Sequence, residues 1–191
     1  WVEDNKGDIV RSRFVAKQVA YDQREDTSQS TPAILVFRLL LSLAASHFPL
    51  FVGLPVLFGV WDISVAFFHA VMDELVFVYP PAGTLPRGWC WKLKKSMYGT
   101  RRASRLWADH VRKTLEDDGC YAIRVFSMVF INVKKRYITA IWGDDFGAIG
   151  SAETLQRFDE MLRKSLESRV IGIIGPGAPS SSVKLLNRTL K

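Results

Sequence analysis

The sequence predicts an α+β fold in which an antiparallel sheet packs on helices, and two patterns carry this prediction. Apolar residues recur at helical spacing over residues 32–46, 103–118 and 151–168. Apolar strand-like runs also follow one another across short polar turns, which is typical of antiparallel hairpins; these runs are 125–133, 136–142 and 146–149. With 191 residues, 48% of them hydrophobic, the chain is long enough to bury a sizeable core as one domain.

A basic strand is predicted near the start of the chain. Residues 9–17 alternate apolar and polar in part, and they place Arg11, Arg13 and Lys17 on one face. The stretch 21–30 is polar and acidic and has no apolar period, so it is predicted to be a loop.

The uncharged run over residues 39–60 raises the alternative of a membrane span, because its length reaches the roughly 20 residues needed to cross a bilayer. Pro49 and Pro55 would interrupt hydrogen bonding through the middle of such a helix. We therefore favour a buried helix, a turn near Pro49 and a buried strand that ends at Asp62, and we expect no membrane contact.

A proline- and glycine-rich stretch over residues 80–88 is predicted to be a long surface connection. The segment after it mixes cations with aromatic rings, a combination that suits phosphate contacts and stacking on bases. Its cations are Lys92, Lys94, Lys95, Arg101, Arg102 and Arg105, and its rings are Trp89, Trp91, Tyr98 and Trp107. The net charge of +7 likewise favours a polyanionic partner such as nucleic acid.

Two helix ends carry recognisable signals. Gly119 is the expected C-terminal cap of the helix over 103–118, and Ser151 is the expected N-cap of the helix over 151–168. The final stretch 172–191 is rich in Gly, Pro and Ser before a short basic end. The two cysteines are too few for a disulfide framework, which favours a reducing compartment.

Three carboxylates stand where apolar strands end. Asp144 and Asp145 follow Gly143, which permits a tight hairpin, and Asp62 ends another apolar run. If these strands are neighbours, the carboxylates converge, and two such charges about 4 Å apart repel by roughly 4 kcal/mol at an effective dielectric near 20. Mg²⁺ or Mn²⁺ would remove this repulsion, and a pair of such ions serves polymerase chemistry.

The Gly-Asp-Asp sequence also has a simpler interpretation, because Gly and Asp are common in the tight turns of ordinary hairpins. An isolated Asp-Asp pair is usually structural. The metal hypothesis gains weight from Asp62, which lies about 80 residues upstream at the end of an apolar strand, and from the basic and aromatic residues between.

Several motifs, in order, resemble the reverse transcriptase family of copia-type retrotransposons from about residue 9 to residue 175. RSRFVAK resembles the family's basic fingers strand, and FRLLLSLAAS resembles the helix before the first catalytic strand. WDISVAFFHA is similar to DVKTAFLNG, and ELVFVYPPAG is similar to the segment that follows it. KLKKSMYGTRRASRLW resembles LKKALYGLKQAPRAW, and WGDDF takes the place of YVDDI.

The resemblance implies a set of catalytic and metal-binding residues. Asp62, Asp144 and Asp145 would be the catalytic carboxylates, with Asp62 and Asp144 the stronger metal ligands and Asp145 close to the primer end. With the backbone carbonyl of Ile63 they would hold two Mg²⁺ ions, for which Mn²⁺ can substitute. The ring of Phe67 would clash with a ribose 2′-hydroxyl and so favour deoxynucleotides; on residue type alone it is an ordinary core aromatic.

The resemblance also implies substrate-binding residues. Those for the incoming triphosphate would be Arg11, Arg13 and Lys17, and those for the nucleotide and template side would be Tyr98, Gly99, Arg101 and Arg105. The partners would be an RNA or DNA template-primer and deoxynucleoside triphosphates, together with integrase and RNase H regions of a parent polyprotein. The location would be a cytoplasmic retrotransposon particle or the nucleus, and the oligomeric state stays open.

The same resemblance divides the chain, taken as a fragment of one reverse transcriptase domain over 1–191. Fingers with parts of the palm would be 9–60 and 74–105, the palm would be 61–73 and 106–175, and 176–191 would start the connection to a missing or truncated thumb. The start at Trp1 without a methionine agrees with a fragment of a longer polypeptide.

Departures from the family pattern leave other functions open. Arg102 stands where the family has a glutamine that helps to position the nucleotide, Thr100 replaces a leucine and Ser104 replaces a proline. The first alternative is therefore a catalytically inactive nucleic-acid-binding remnant, and the second is a membrane-associated protein. An RNA-copying viral polymerase, which Gly-Asp-Asp alone would suggest, is disfavoured by Phe67.

Overall fold

A computed structural model describes residues 2–6, 9–19, 27, 31–46 and 48–191. The chain forms two compact units, each with its own internal contacts. The smaller unit comprises residues 1–29 and 67–110, and the larger unit comprises 30–66 and 111–191.

The elements run in mixed order along the chain. They are β1 (Val2–Lys6), β2 (Ile9–Arg13), α1 (Ile34–Ala45), β3 (Leu57–Ile63), β4 (Phe77–Val78), β5 (Trp91–Lys92), α2 (Ala103–Asp117), β6 (Tyr121–Ala122), β7 (Val129–Asn132), β8 (Tyr137–Trp142), β9 (Asp145–Gly150), α3 (Ala152–Ser165), β10 (Ser168–Ile174), β11 (Val183–Leu185) and β12 (Arg188–Leu190). Short 3₁₀ turns span Pro49–Phe51 and Ala66–His69.

A six-stranded sheet organises the larger unit, with strand order β10-β3-β9-β8-β7-β6 and every neighbouring pair antiparallel. One face packs against α1 and the β11–β12 hairpin, and Phe37 of α1 meets Phe58 and Trp142 edge to face. The other face packs against α3, where the Phe158 ring lies 5.0 Å from the ring centroids of both Trp61 and Tyr137. The core therefore occupies both sides of the sheet.

The smaller unit is built from antiparallel ribbons. Strand β1 pairs with β2, and β4 pairs with β5. The second pairing continues beyond its strands, because the Leu93 N–H donates to the Val76 carbonyl and the Ser96 N–H donates to the Ala70 carbonyl. We call residues 70–79 and 91–96 together the 70–96 ribbon.

The predicted α+β class, with an antiparallel sheet packed on helices, is confirmed. The predicted caps are present: Gly119 has φ +89°, and the Ser151 hydroxyl accepts a hydrogen bond from the Thr154 N–H. Helix α3 ends at Ser165 rather than near residue 168, because the backbone of Leu166 is extended (φ −139°, ψ 154°) and the chain then enters β10.

Some predicted boundaries were wrong, and seven strands were not predicted: β1, β4, β5, β6, β10, β11 and β12. Strand β2 ends at Arg13 instead of Lys17, because the Ala16 N–H pairs with the Tyr98 carbonyl at 2.8 Å instead of continuing the β1 ladder. Strand β7 begins only at Val129. Strand β10 follows the predicted end of a helix, and the β11–β12 hairpin lies in the Gly/Pro/Ser-rich final stretch, for which no strand was predicted.

The uncharged run 39–60 is divided between the end of α1, a 3₁₀ turn and β3. Among the residues that the structure describes, no helix combines the length and apolar character needed to cross a membrane.

Candidate active site

Asp62 and Asp145 occupy directly opposite positions on β3 and β9, two neighbouring strands of the larger unit. Side chains of directly opposite residues in an antiparallel pair point to the same face, with Cβ atoms roughly 4.5–5.5 Å apart. Both positions continue the face that Phe58 and Ile149 bury against α1, because side chains alternate along a strand. The two carboxylates therefore stand together at the end of an apolar sheet face.

Asp144 is held beside this pair by a two-residue turn. Trp142 pairs with Asp145, so Gly143 and Asp144 alone connect β8 to β9. Gly143 has φ +69°, whereas Asp144 has no positive φ, the combination found in type II′ hairpins with Gly at the first turn position. The Asp144 carbonyl accepts a hydrogen bond of 2.9 Å from the Ile63 N–H, which joins the turn to the end of β3.

Burial and like charge both act on Asp145 within this group. The pKa of Asp145 is raised to about 6, first by burial and then by the charges of Asp144 and Asp62. Desolvation and like charges both disfavour the ionised form of a carboxyl group. A cation placed among the three carboxylates would relieve the second of these effects.

A cation of the protein itself lies on the other side of Asp62. Arg169 is the residue opposite Asp62 on β10, and its Nη2 atom lies 3.6 Å from the Asp62 Oδ2 atom. The Arg169 side chain is largely exposed, so this ion pair is weak in water. Sequence reasoning missed Arg169, because no pattern marked β10 as a strand or as the neighbour of β3.

The end of β3 is positioned by Trp61. Its Nε1 atom donates to the Asp159 Oδ1 atom at 3.0 Å, and its indole ring is fully buried. The ring folds back over Gly59, where an added Cβ would lie 2.4 Å from the Trp61 Cη2 atom. Gly59 therefore makes room for the side chain that fixes the strand next to Asp62.

The donor set fits a hard divalent cation by chemistry, since carboxylate oxygens and a backbone carbonyl are the ligands that Mg²⁺ and Mn²⁺ prefer. The side chains themselves do not form a closed cluster: within the described part of the chain, no three His, Cys, Asp or Glu side chains are gathered in a way that could hold a metal ion. The backbone thus brings Asp62, Asp144 and Asp145 together, while their carboxylates are not arranged around a common point.

Other predicted site residues lie in the smaller unit. The Phe67 ring packs on Tyr98 with centroids 4.6 Å apart, and Tyr98 also meets Phe68 at 5.9 Å. Gly99 has φ +85°, and an added Cβ there would lie 1.9 Å from the Ala16 carbonyl oxygen. The close approach expected at Gly99 is therefore made by the backbone of the same unit.

The basic residues predicted for substrate binding are spread over this unit. Arg13 and Lys17 are exposed, and Arg11 lies on β2, although its side chain falls outside the described residues. The Arg101 N–H donates to the Gln18 side chain at 2.8 Å, and Arg105 pairs with Asp109 on α2 at 3.0 Å.

Arg102 has a partner that the sequence did not indicate. Its Nη1 atom lies 2.7 Å from the Asp73 Oδ2 atom. The two residues are 29 positions apart, and only the fold of the smaller unit brings them together.

The chain was compared with protein families, with known proteins and with solved structures. The family model described as reverse transcriptase (RNA-dependent DNA polymerase) matches residues 1–175. A putative transposon Ty5-1 protein of Saccharomyces cerevisiae is 34% identical over 61 residues, which cover 30% of this chain and 20% of that protein. The match thus spans one fifth of the relative's length. No solved structure matches the chain.

Proposed function

Because the chain belongs to the reverse transcriptase (RNA-dependent DNA polymerase) family, we propose that it is the RNA-directed DNA polymerase module of a copia-type retrotransposon. The observation that carries the proposal is the direct opposition of Asp62 and Asp145 on β3 and β9, with Asp144 in the adjoining turn. The similarity to a transposon protein and the ordered copia-type motifs support the same proposal.

In this proposal the template-primer is RNA or DNA, and the substrates are deoxynucleoside triphosphates. The parent polyprotein would add integrase and RNase H regions, and the reaction would take place in a cytoplasmic retrotransposon particle or in the nucleus. The larger unit would supply most of the palm, and the smaller unit most of the fingers. Phe67, packed on Tyr98, would exclude the ribose 2′-hydroxyl.

The proposed metal site consists of Asp62, Asp144, Asp145 and the Ile63 carbonyl. Two Mg²⁺ ions bound there would activate the primer hydroxyl and stabilise the leaving phosphate. The residues of the chain hold the geometry: the turn at Gly143 presents Asp144, and the hydrogen bond from the Ile63 N–H ties that turn to β3.

Primer extension tests the proposal. The protein should add deoxynucleotides to a labelled primer on an RNA or DNA template with Mg²⁺, and Asp62→Asn or Asp145→Asn should lower the rate at least about 100-fold, since metal ions supply several kcal/mol in such reactions. Asp117→Asn, an exposed carboxylate on α2, is the matched control and should leave the rate unchanged. Equal rates for the wild type and the two active-site variants would refute the assignment.

A catalytically inactive nucleic-acid-binding remnant is the second candidate, and the Arg102–Asp73 ion pair favours it. The arginine replaces a glutamine of the family motif and is engaged by a carboxylate, so it is not free to take the role of that glutamine. Binding of template-primer that weakens with salt, without any extension, would support the remnant. Extension that depends on Asp62 would exclude it.

A further inference from the structure

The outer face of the 70–96 ribbon exposes a stripe of large apolar side chains. Val71 is 65% exposed, Leu75 72%, Phe77 58% and Tyr79 85%. Exposed apolar groups that follow one another on a single face mark interaction surfaces more often than isolated ones do.

Alternation along the ribbon shows that this face is separate from the core. Most side chains between the exposed positions are buried: Ala70, Met72 and Val76 pack with Leu106 of α2, and the partly buried Val78 packs against them, whereas Glu74 is half-exposed. Successive side chains of an extended strand point to opposite sides, which accounts for the exposed Phe77 beside Val78 in β4. Exposure alternates in the same way from Val71 to Leu75, where the chain is not a strand and bends at Glu74. The stripe is thus a consequence of a well-packed inner face.

Cations flank the exposed stripe. Lys92 lies directly opposite Phe77 and Lys95 directly opposite Val71 across the ribbon. Between residues 86 and 105 the sequence contains seven Lys and Arg residues and no carboxylate. Asp73, which lies on the outer face, is neutralised by Arg102 at 2.7 Å.

A groove adjoins the stripe within the same unit. It has a volume of about 260 Å³ and is lined by Ala16, Lys17, Gln18 and residues 75–78. This volume is below the roughly 300–1,000 Å³ of sites that enclose a small molecule. Its size and the exposed Lys17 suit one base or phosphate of a longer ligand that continues over the ribbon.

We propose that the outer face of the 70–96 ribbon binds single-stranded nucleic acid, with Phe77 and Tyr79 stacking on bases and Lys92 and Lys17 contacting phosphates. Aromatic side chains stack on unpaired bases of any sequence, and a flanking row of cations follows the backbone of the strand. A duplex hides its bases, so it would meet only the cations of this surface. The partner is therefore single-stranded, and the site lies in a different unit from the three aspartates.

Fluorescence anisotropy with labelled oligo(U) and oligo(dT), in EDTA and without nucleotide, tests this proposal independently of polymerase activity. Phe77→Ala and Tyr79→Ala should each weaken binding about fivefold or more, the range found when a stacking ring is removed. Tyr121→Ala, an exposed ring in the larger unit, is the matched control and should change nothing. Blunt duplexes of the same length should bind both ring variants as they bind the wild type.

The salt dependence of binding gives a second readout. Lys92→Gln should reduce the slope of log affinity against log salt by about 0.7, the value for one lost phosphate contact on a single strand. Lys134→Gln, an exposed lysine in the larger unit, should leave the slope unchanged. The RNA and DNA oligonucleotides together show whether the sugar matters.

Three outcomes would overturn the proposal. The first is binding of oligo(U) and oligo(dT) by Phe77→Ala/Tyr79→Ala within twofold of the wild type. The second is an equal loss of duplex binding, since this would assign the rings a structural role. The third is a wild-type dimer that the double variant dissociates in sedimentation velocity, since the stripe would then bind a second copy of the chain. Absence of primer extension, in contrast, would affect only the polymerase proposal.

Discussion

Asp62 lies between opposite charges, with Asp145 directly across from it on β9 and Arg169 directly across from it on β10. The weak ion pair with Arg169 stabilises the Asp62 carboxylate on one side, while Asp145 repels it on the other. The pKa of Asp145 is raised to about 6, first by burial and then by the charges of Asp144 and Asp62. A divalent cation beside Asp62 and Asp145 would offset the repulsion between them, because it would attract both carboxylates.

The raised pKa of Asp145 predicts an unusual dependence of stability on pH without metal. The folded state binds the proton more tightly than the unfolded chain, so the stabilising contribution is present below about pH 4 and is lost as the pH rises through about 6. A shift of about two units corresponds to at most roughly 3 kcal/mol, and partial exposure reduces this to about 1–2 kcal/mol. Asp145→Asn should therefore raise the free energy of unfolding at pH 7.

Urea denaturation in EDTA at pH 7 measures this effect, with Asp117→Asn as the surface control. Asp145→Asn should be more stable than the wild type at pH 7, and it should remove the decline in stability between about pH 4 and pH 6. Added Mn²⁺ should stabilise the wild type, since a ligand that binds only the folded state does so, and should have less effect on the variant. A variant less stable than the wild type at pH 7 contradicts the prediction.

The space around Gly59, beside the candidate active site, is too small for a side chain. In Gly59→Ala the new methyl group would lie 2.4 Å from the Trp61 Cη2 atom, inside a buried cluster with Phe158. Overpacking of this kind typically costs about 1–3 kcal/mol. Thermal denaturation should therefore show a lower midpoint, and the displaced end of β3 should reduce the activity that depends on Asp62.

A double-mutant cycle separates this clash from other effects of the methyl group. Trp61→Phe removes the outer ring atoms that the methyl group would meet, so Gly59→Ala should be less harmful in that background than in the wild type. If the cost of Gly59→Ala were the same in both backgrounds, the contact with Trp61 would not be its cause.

How much of this fold the sequence could predict depends on the range of the interactions. Helix α3 and the β8–β9 hairpin were predictable, because each has a local signal in the sequence. Ser151 caps the N-terminus of α3, and Gly143 permits the tight turn between β8 and β9. Strand β10 was not, since its partner β3 lies more than 100 residues earlier and its pairing shifts register between Val170 and Gly172.

The β11–β12 hairpin escaped prediction for a different reason. Leu185 pairs with Arg188, so Leu186 and Asn187 form a two-residue turn in which both residues have positive φ. Turns of this kind usually contain Asn-Gly or Asp-Gly, and leucine with positive φ carries no recognisable signal. For the candidate site, the sequence marked the three aspartates, but only the sheet order shows that Asp62 faces Asp145.

The Phe67–Tyr98 contact predicts that sugar selection depends on a residue outside the catalytic motif. The Tyr98 ring supports Phe67 at 4.6 Å, and such aromatic pairs contribute about 0.5–1.5 kcal/mol. Tyr98→Leu should therefore reduce discrimination between deoxynucleotides and ribonucleotides several-fold, measured as the ratio of kcat/KM values. Tyr98→Phe keeps the ring and should preserve the ratio. Discrimination unchanged in both Tyr98→Leu and Phe67→Val would remove both residues from sugar selection.

Arg102 provides the sharpest distinction between an active enzyme and a remnant. Arg102→Gln restores the residue of the family motif and removes the ion pair with Asp73, a partly exposed pair worth about 1 kcal/mol or less. If the arginine limits catalysis, this variant should incorporate deoxynucleotides faster than the wild type in spite of a slightly lower denaturation midpoint. Asp73→Asn also breaks the pair but keeps the arginine, so it should show the lower midpoint without the gain. A gain in both variants would attribute the effect to loss of the ion pair, and a gain in neither would show that Arg102 does not limit incorporation.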